Sequence, residues 1–129
     1  MATHSGKSGL VKNGSNTVAE VRSWTLNTQA DVIEDTAMGD AARTYLAGLT
    51  SADASIEVYW DETDTNGQVA LAPGTSVTLV LYPEGADSSD TYYTGTALVT
   101  SKSITGSFDG MVEASISATY TGAVTTATV

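Results

Sequence analysis

A mainly β domain, sandwich- or barrel-like with one short flanking α-helix, is predicted by three features of this sequence. In residues 54–61 the apolar side chains alternate, with Ile56, Val58 and Trp60 on one side and Ser55, Glu57, Tyr59 and Asp61 on the other, the period-two signature of a half-buried strand. Comparable runs at residues 76–83 and 111–120 are set apart from it by stretches rich in Gly, Asp, Asn and Ser, which read as turns. A chain of 129 residues fits one domain and can form a core without disulfide or metal. Large apolar side chains are few, with one Phe and two Trp. The core is therefore expected to be thin, resting on Trp24, Trp60, Ile56, Val58, Leu79, Leu81 and Ile116, with neighbouring molecules supplying further burial.

Taken in order, residues 1–16 contain Gly6, Gly9 and Gly14 with Lys7 and Lys12. They read as a flexible N-terminal arm, with a short strand at residues 10–12 turned by Asn13-Gly14. Residues 17–28 are a strand with Val18, Trp24 and Leu26 in one register and Val21 in the other. Glu20 and Arg22 interrupt the first register, so one part is expected on the core and another paired elsewhere. Residues 30–40 lack a period and end near Gly39, which predicts a loop with at most one helical turn; residues 41–49 have helical propensity weakened by Thr44 and Tyr45. A connection this long in a small domain tends to serve function or to dock on a partner. After the strand at 54–61, Asp64 or Thr65 caps a predicted short helix over residues 66–72 that Pro73-Gly74 stops.

Residues 76–83 predict a strand with Val77, Leu79 and Leu81 inward and Val80 and Tyr82 on a second covered face. An acidic loop at 84–90 leads to a long strand at 91–104, bent or bulged at Gly95, and a turn through Gly106 and Asp109-Gly110 precedes the strand at 111–120. About six strands result. Residues 17–120 form the body of a single domain, and residues 121–129 are a flexible tail or an added strand that needs a neighbour.

The net charge is -10, and it is unevenly spread: from Met1 to Arg43 four basic residues face five acids, whereas beyond Thr44 ten acids face Lys102 alone. Nucleic-acid binding through phosphate neutralisation is excluded by this balance, because no basic patch exists to release counterions. An anionic surface would instead keep DNA from sticking. The absence of cysteine excludes disulfides, thiolate metal sites and a cysteine nucleophile. Residues 1–9 carry no apolar segment of a secretory signal, and no run approaches the roughly 20 apolar residues of a membrane span, so a soluble protein made in the cytosol is expected.

Catalysis finds little support. His4 is the sole histidine and lies in the arm, so neither a histidine metal cluster nor a catalytic triad can be assembled. Glu57 and Glu113, with Asp61 or Glu62, supply carboxylates of the kind glycosidases pair, but strand-borne surface acids more often solvate an edge or guard it against pairing. Glu62, Asp64, Asn66 and Gly67 follow the opening of an EF-hand loop; its twelfth position, which needs a bidentate carboxylate, is Pro73, so no calcium site is expected at 61–67. Ser5 to Ser8 match only the tail of a phosphate-binding loop. No catalytic, metal-binding or cofactor-binding residue is assigned.

Four segments then stand together in order and spacing: V-A-E-V-R-S-W-T-L at Val18, M-G-D-A-A-R-T-Y-L-A-G-L at Met38, I-E-V-Y-W-D-E-T-D-T-N-G-Q at Ile56 and F-D-G-M-V-E-A-S-I-S at Phe108. Across most of the chain they resemble the major tail tube proteins of long-tailed, non-contractile bacteriophages. The resemblance implies a β-sandwich with a short helix beside it, a virion location, and self-assembly into stacked hexameric rings around a channel for DNA. It implies that the 30–49 connection reaches a neighbouring subunit or ring, with Ile33, Met38, Arg43, Tyr45, Leu46 and Leu49 as candidate contacts. It makes Glu57 and Glu113 candidate channel-facing acids that let DNA pass without specific binding. Tape measure, tail terminator and distal tail proteins would be its further partners. The alternatives are a head-decoration protein and a carbohydrate-binding module that uses Tyr59, Tyr82, Tyr92 and Tyr93 as a stacking platform.

Overall fold

The computed structural model describes residues 9–85 and 88–129. The described chain is antiparallel β throughout: β1 (Leu10–Asn13), β2 (Asn16–Thr17), β3 (Val21–Glu34), β4 (Tyr45–Tyr59), β5 (Ser76–Tyr82), β6 (Thr91–Thr105), β7 (Glu113–Tyr120) and β8 (Thr125–Thr128). They hydrogen-bond in the order β2-β1-β5-β6-β7-β4-β3, with β8 paired to the first residues of β6. Long β6 joins two parts of the sheet, since residues 93–98 pair with β5 and residues 97–105 pair with β7. The inward side chains of both parts meet in one core containing Val11, Ile56, Val58, Leu79, Leu81, Val99 and Ile116.

That core is thin in the way the composition predicts. Ala52, Ala54, Ala97, Ala114 and Ala118 are all buried and alternate with the larger side chains, and each fully buried Ile or Leu contributes about 1.5–3 kcal/mol. Trp24 and Trp60, expected as core residues, pack only against its margin. Val11 and Val18 are buried instead, because the sheet reaches back to Leu10 through the hairpin at Gly14-Ser15, and Leu71 is buried from the turn segment that follows β4. Residues 10–16 therefore belong to the sheet and not to a free arm; residues 1–8 lie outside the described residues.

Among the described residues there is no helix, which overturns both helical expectations. In residues 61–75 the Asp64 capping signal is real, but its carboxylate accepts from Ala19 N at 2.8 Å as well as from Gln68 N at 3.0 Å. The backbone continues as successive turns, Gly67 N to Asp64 O and Leu71 N to Gln68 O. A Cβ at Gly67 would collide with the Asp64 carboxylate, so glycine lets that carboxylate fold back. Gln68 is fully buried and holds the segment down: its Oε1 accepts from Asp61 N at 2.8 Å, and its Nε2 donates to Ala19 O and Tyr59 O at 2.6 and 2.9 Å. Residues 45–50 are strand because they pair with residues 30–34, and cross-strand hydrogen bonding there overrides a weak helical propensity.

One smaller expectation changes. Gly95 pairs in register with Leu79, and the irregularity of β6 falls between Val99 and Ser101. Gly95 is needed for close approach, since a Cβ there would meet the Tyr120 ring at 2.8 Å. The C-terminal segment takes the added-strand form, finding its neighbour in residues 91–94 of its own chain.

Candidate functional site: a polar sheet face and a projecting hairpin

Because β residues alternate between faces, the four strands β6-β7-β4-β3 that wall the core on one side carry a second face. Hydroxyls and carboxylates recur on it from strand to strand. Thr25 pairs with Ser55, Ser55 with Ser117 and Ser117 with Ser101; one row on, Ser23 pairs with Glu57, Glu57 with Ser115 and Ser115 with Ser103. A further row holds Tyr59, Glu113 and Thr105. The same strands present Trp24, Ile56, Ile116 and Lys102 to the other side, so the polar rows are a property of one face.

Both candidate acids lie on this face, on adjacent strands. Glu57 is half-buried and its Oε1 accepts from the Ser115 hydroxyl at 3.1 Å. Glu113 pairs with Arg22 at 2.9 Å, and the Arg22 guanidinium lies 5.1 Å from the centre of the Tyr59 ring. Asp53 is exposed in the row beyond Ser55. Hydroxyls and carboxylates without a histidine or a convergent metal set make this face wettable and anionic, with no means of nucleophilic catalysis.

The six candidate contacts fall together elsewhere. The pairing of β4 with β7 ends at Asp53 and Thr119, but its pairing with β3 runs on to Tyr45 and Glu34. Residues 30–50 therefore project as a two-stranded ribbon exposed on both faces. Ile33 and Leu46 are direct cross-strand partners, beside Val32, Tyr45 and Leu49, and all five are exposed. Met38 at the tip is fully exposed and Arg43 stands near it, also exposed. The tip is shaped by short-range bonds: Asp40 Oδ2 accepts from Ala37 N at 2.7 Å, and Thr36 Oγ1 accepts from Thr44 N at 2.9 Å. These bonds across the tip give a defined end to the ribbon.

Sequence reasoning missed three features. Gln68 and Asp64 work as one clamp between residues 18–20 and the end of β4, and a buried glutamine in a polar stretch has no periodic signature. Lys102 belongs to the same cluster: its ammonium donates to Gln68 O at 2.8 Å, lies 5.1 Å from the Trp60 ring centre, and has its pKa lowered by burial. Phe108 and Met111 are exposed in the β6–β7 loop; apolar side chains flanking an Asp-Gly turn were the available signal. The four tyrosines of the stacking platform are dispersed, with Tyr82 and Tyr92 stacked on each other at 5.2 Å, Tyr59 beneath Arg22, and Tyr93 lining a cleft at the edge of the core.

Comparison with known proteins identifies the family and the fold. Residues 7–126 match the family described as phage tail tube protein. Among curated protein sequences none matches the chain. Among solved structures, the tail of an empty gene transfer agent particle, refined with helical C6 symmetry, superposes with a TM-score of 0.79 at 21% identity, covering 95% of this chain and 98% of that one. The SPP1 tail tube has a TM-score of 0.72 at 11% identity, over 98% and 80% of the two chains. A chain of the sheath–tube complex of the PVC extracellular contractile injection system also reaches 0.72, at 13% identity over 98% and 93%. At these identities the likeness is one of fold.

Proposed function

From the premise that this chain belongs to the phage tail tube protein family, we propose that it closes into hexameric rings that stack into the tube of a long, non-contractile tail. As a member of that family it is a structural component of the virion tail and not an enzyme, which displaces the head-decoration and carbohydrate-binding alternatives. One observation carries the ring: the ribbon β6-β7-β4-β3 has a polar face and two open edges. On one side β3 ends the strand order; on the other, residues 101–105 of β6 continue past the end of β5. Open edges of this length promote uncontrolled pairing unless something closes them. Joining the β3 edge of one copy to the free half of β6 in the next closes a barrel with no edge left, and the C6 tail of similar fold supports six copies.

In that barrel the Ser/Thr rows face the channel with Asp53, Glu57 and Glu113. DNA passing through meets hydroxyls and like charge, which it leaves without specific binding. The projecting ribbon reaches a neighbouring subunit or ring with Ile33, Met38, Arg43, Tyr45, Leu46 and Leu49. Tape measure, terminator and distal tail proteins complete the tail. Negative-stain microscopy of the purified chain tests the reading: rings or tubes with a central hole are expected, and a monomer at every concentration overturns it.

A further inference from the structure

Between β3 and β8 the margin of the core stays open. A cavity of about 380 Å³ there is lined by Trp24, Leu26, Tyr93 and Val124, with Thr28 and Thr126 at its rim. The four apolar side chains touch the core yet remain partly exposed, so they form an unfilled apolar cleft beside the β3 edge. At the opposite edge of the same ribbon, the turn segment that leads to β5 carries exposed apolar residues of its own, Val69, Ala72 and Pro73.

The register sets these two features at one height. Trp24 pairs with Ile56, Ile56 with Ile116, and Ile116 with Lys102, whose ammonium is bonded to Gln68 O. Leu26 runs likewise through Ala54 and Ala118 to Val99, which exchanges backbone hydrogen bonds with Gly74 and Thr75 at 2.8 and 3.0 Å. Cleft and segment thus lie on the core side of the ribbon, level with each other, at its two ends. A cleft and a protrusion on opposite sides of one molecule are what a head-to-tail contact between copies requires.

We propose that the occupant of the cleft is the Val69–Pro73 segment of a second copy of this chain, seated when the β3 edge of one subunit joins the free half of β6 in the next. The inference rests on the ring reading and adds its apolar lock. Filling the cleft completes each subunit's core with a neighbour's side chains, and it makes ring closure depend on a segment that the Asp64–Gln68 clamp holds in place.

The chain has no cysteine, so Thr28→Cys combined with Ala72→Cys places one thiol on the cleft rim and one on the segment. A short bismaleimide added to assembled protein should give a ladder of covalent multimers, whereas Thr28→Cys with Phe108→Cys should give none. Val69→Glu, which places a charge at the contact without touching the core, should raise the concentration needed for assembly at least about tenfold while thermal unfolding of the monomer stays unchanged. Tubes that form normally without a ladder, and with Val69→Glu assembling as wild type, overturn the inference while leaving the ring reading intact. Wild-type protein that never forms rings overturns both.

Discussion

The two halves of the β3–β4 ribbon are built from the same two strands and obey different rules. From Ala52 to Tyr59 every second residue of β4 is buried, because β7 flanks it and a core lies beneath. From Tyr45 to Ser51 the backbone pairing with β3 continues, but among the described residues no third strand pairs there and no core lies beneath, and Ile33, Leu46 and Leu49 are exposed. Backbone pairing alone leaves a two-stranded ribbon marginal in water, and on the reading proposed above contacts with a neighbouring copy supply the rest. The sheet half is held by a core, and the projecting half is held by backbone pairing with its side chains exposed.

Substitutions separate the halves most sharply. Ile56→Ala, in the fully buried part of β4, should lower stability in urea by about 2–5 kcal/mol. Leu46→Ala, on the same strand but 55% exposed, should change monomer stability by less than about 0.5 kcal/mol while weakening assembly. Equal losses of stability from both would show that the ribbon tip already packs within the monomer.

The clamp that borders the sheet half comes next. Gln68→Ala leaves Asp61 N without its acceptor and the Ala19 and Tyr59 carbonyls without a donor. A cost of roughly 1–3 kcal/mol is expected from each buried group left unsatisfied, reduced by whatever water can reach it. Gln68→Glu should be no better than alanine, since the lost amide donor serves two carbonyls. Recovery of wild-type stability with glutamate would show that those two bonds are dispensable.

The contrast between halves also explains what the sequence made legible. Period-two alternation exposes a strand only where one face is buried and the other is not, which holds for Ile56, Val58 and Ile116. It fails in residues 30–34 and 45–50, where both faces are exposed and Val32, Ile33, Tyr45 and Leu46 follow no alternation. Their strand state comes from pairing, a non-local property. The length of the connection still set it apart, and the six candidates named from it are all exposed. Glu57 and Glu113 were legible as strand-borne acids, but not the partners that distinguish them, because Arg22 sits at an irregularity between Val21 and Ser23 that pattern cannot place.

A smaller effect belongs to the core edge. Burial pushes the Tyr120 hydroxyl from 10.0 up to about 12, and it donates to Leu79 O at 3.4 Å. Since the folded value is the higher one, this contribution to stability is complete below pH 10 and is lost as pH rises toward about 12. The melting temperature of Tyr120→Phe should therefore fall less steeply than that of wild type across this range. Parallel profiles would assign the loss to other groups.

The smallest effects on folding, and the finest test of the channel reading, lie with the two acids. Glu57→Gln and Glu113→Gln each remove one negative charge, so a simple loss of repulsion predicts equal slowing of DNA ejection. Their neighbours differ. Glu57 accepts from a neutral serine, whereas Glu113 holds Arg22; removing Glu113 leaves an unpaired guanidinium beside the polar face, and guanidinium groups bind phosphate well. Glu113→Gln should therefore slow ejection more than Glu57→Gln at low salt, and Arg22→Ala added to Glu113→Gln should restore most of the rate. The exposed ion pair is worth at most about 1 kcal/mol, so tubes should survive all three changes. Raising the salt should shrink the differences, because charges in solvent are screened within about 10 Å at 0.1 M. Equal slowing by both single variants would leave repulsion as the whole effect, and unchanged ejection in both would remove these acids from the channel wall.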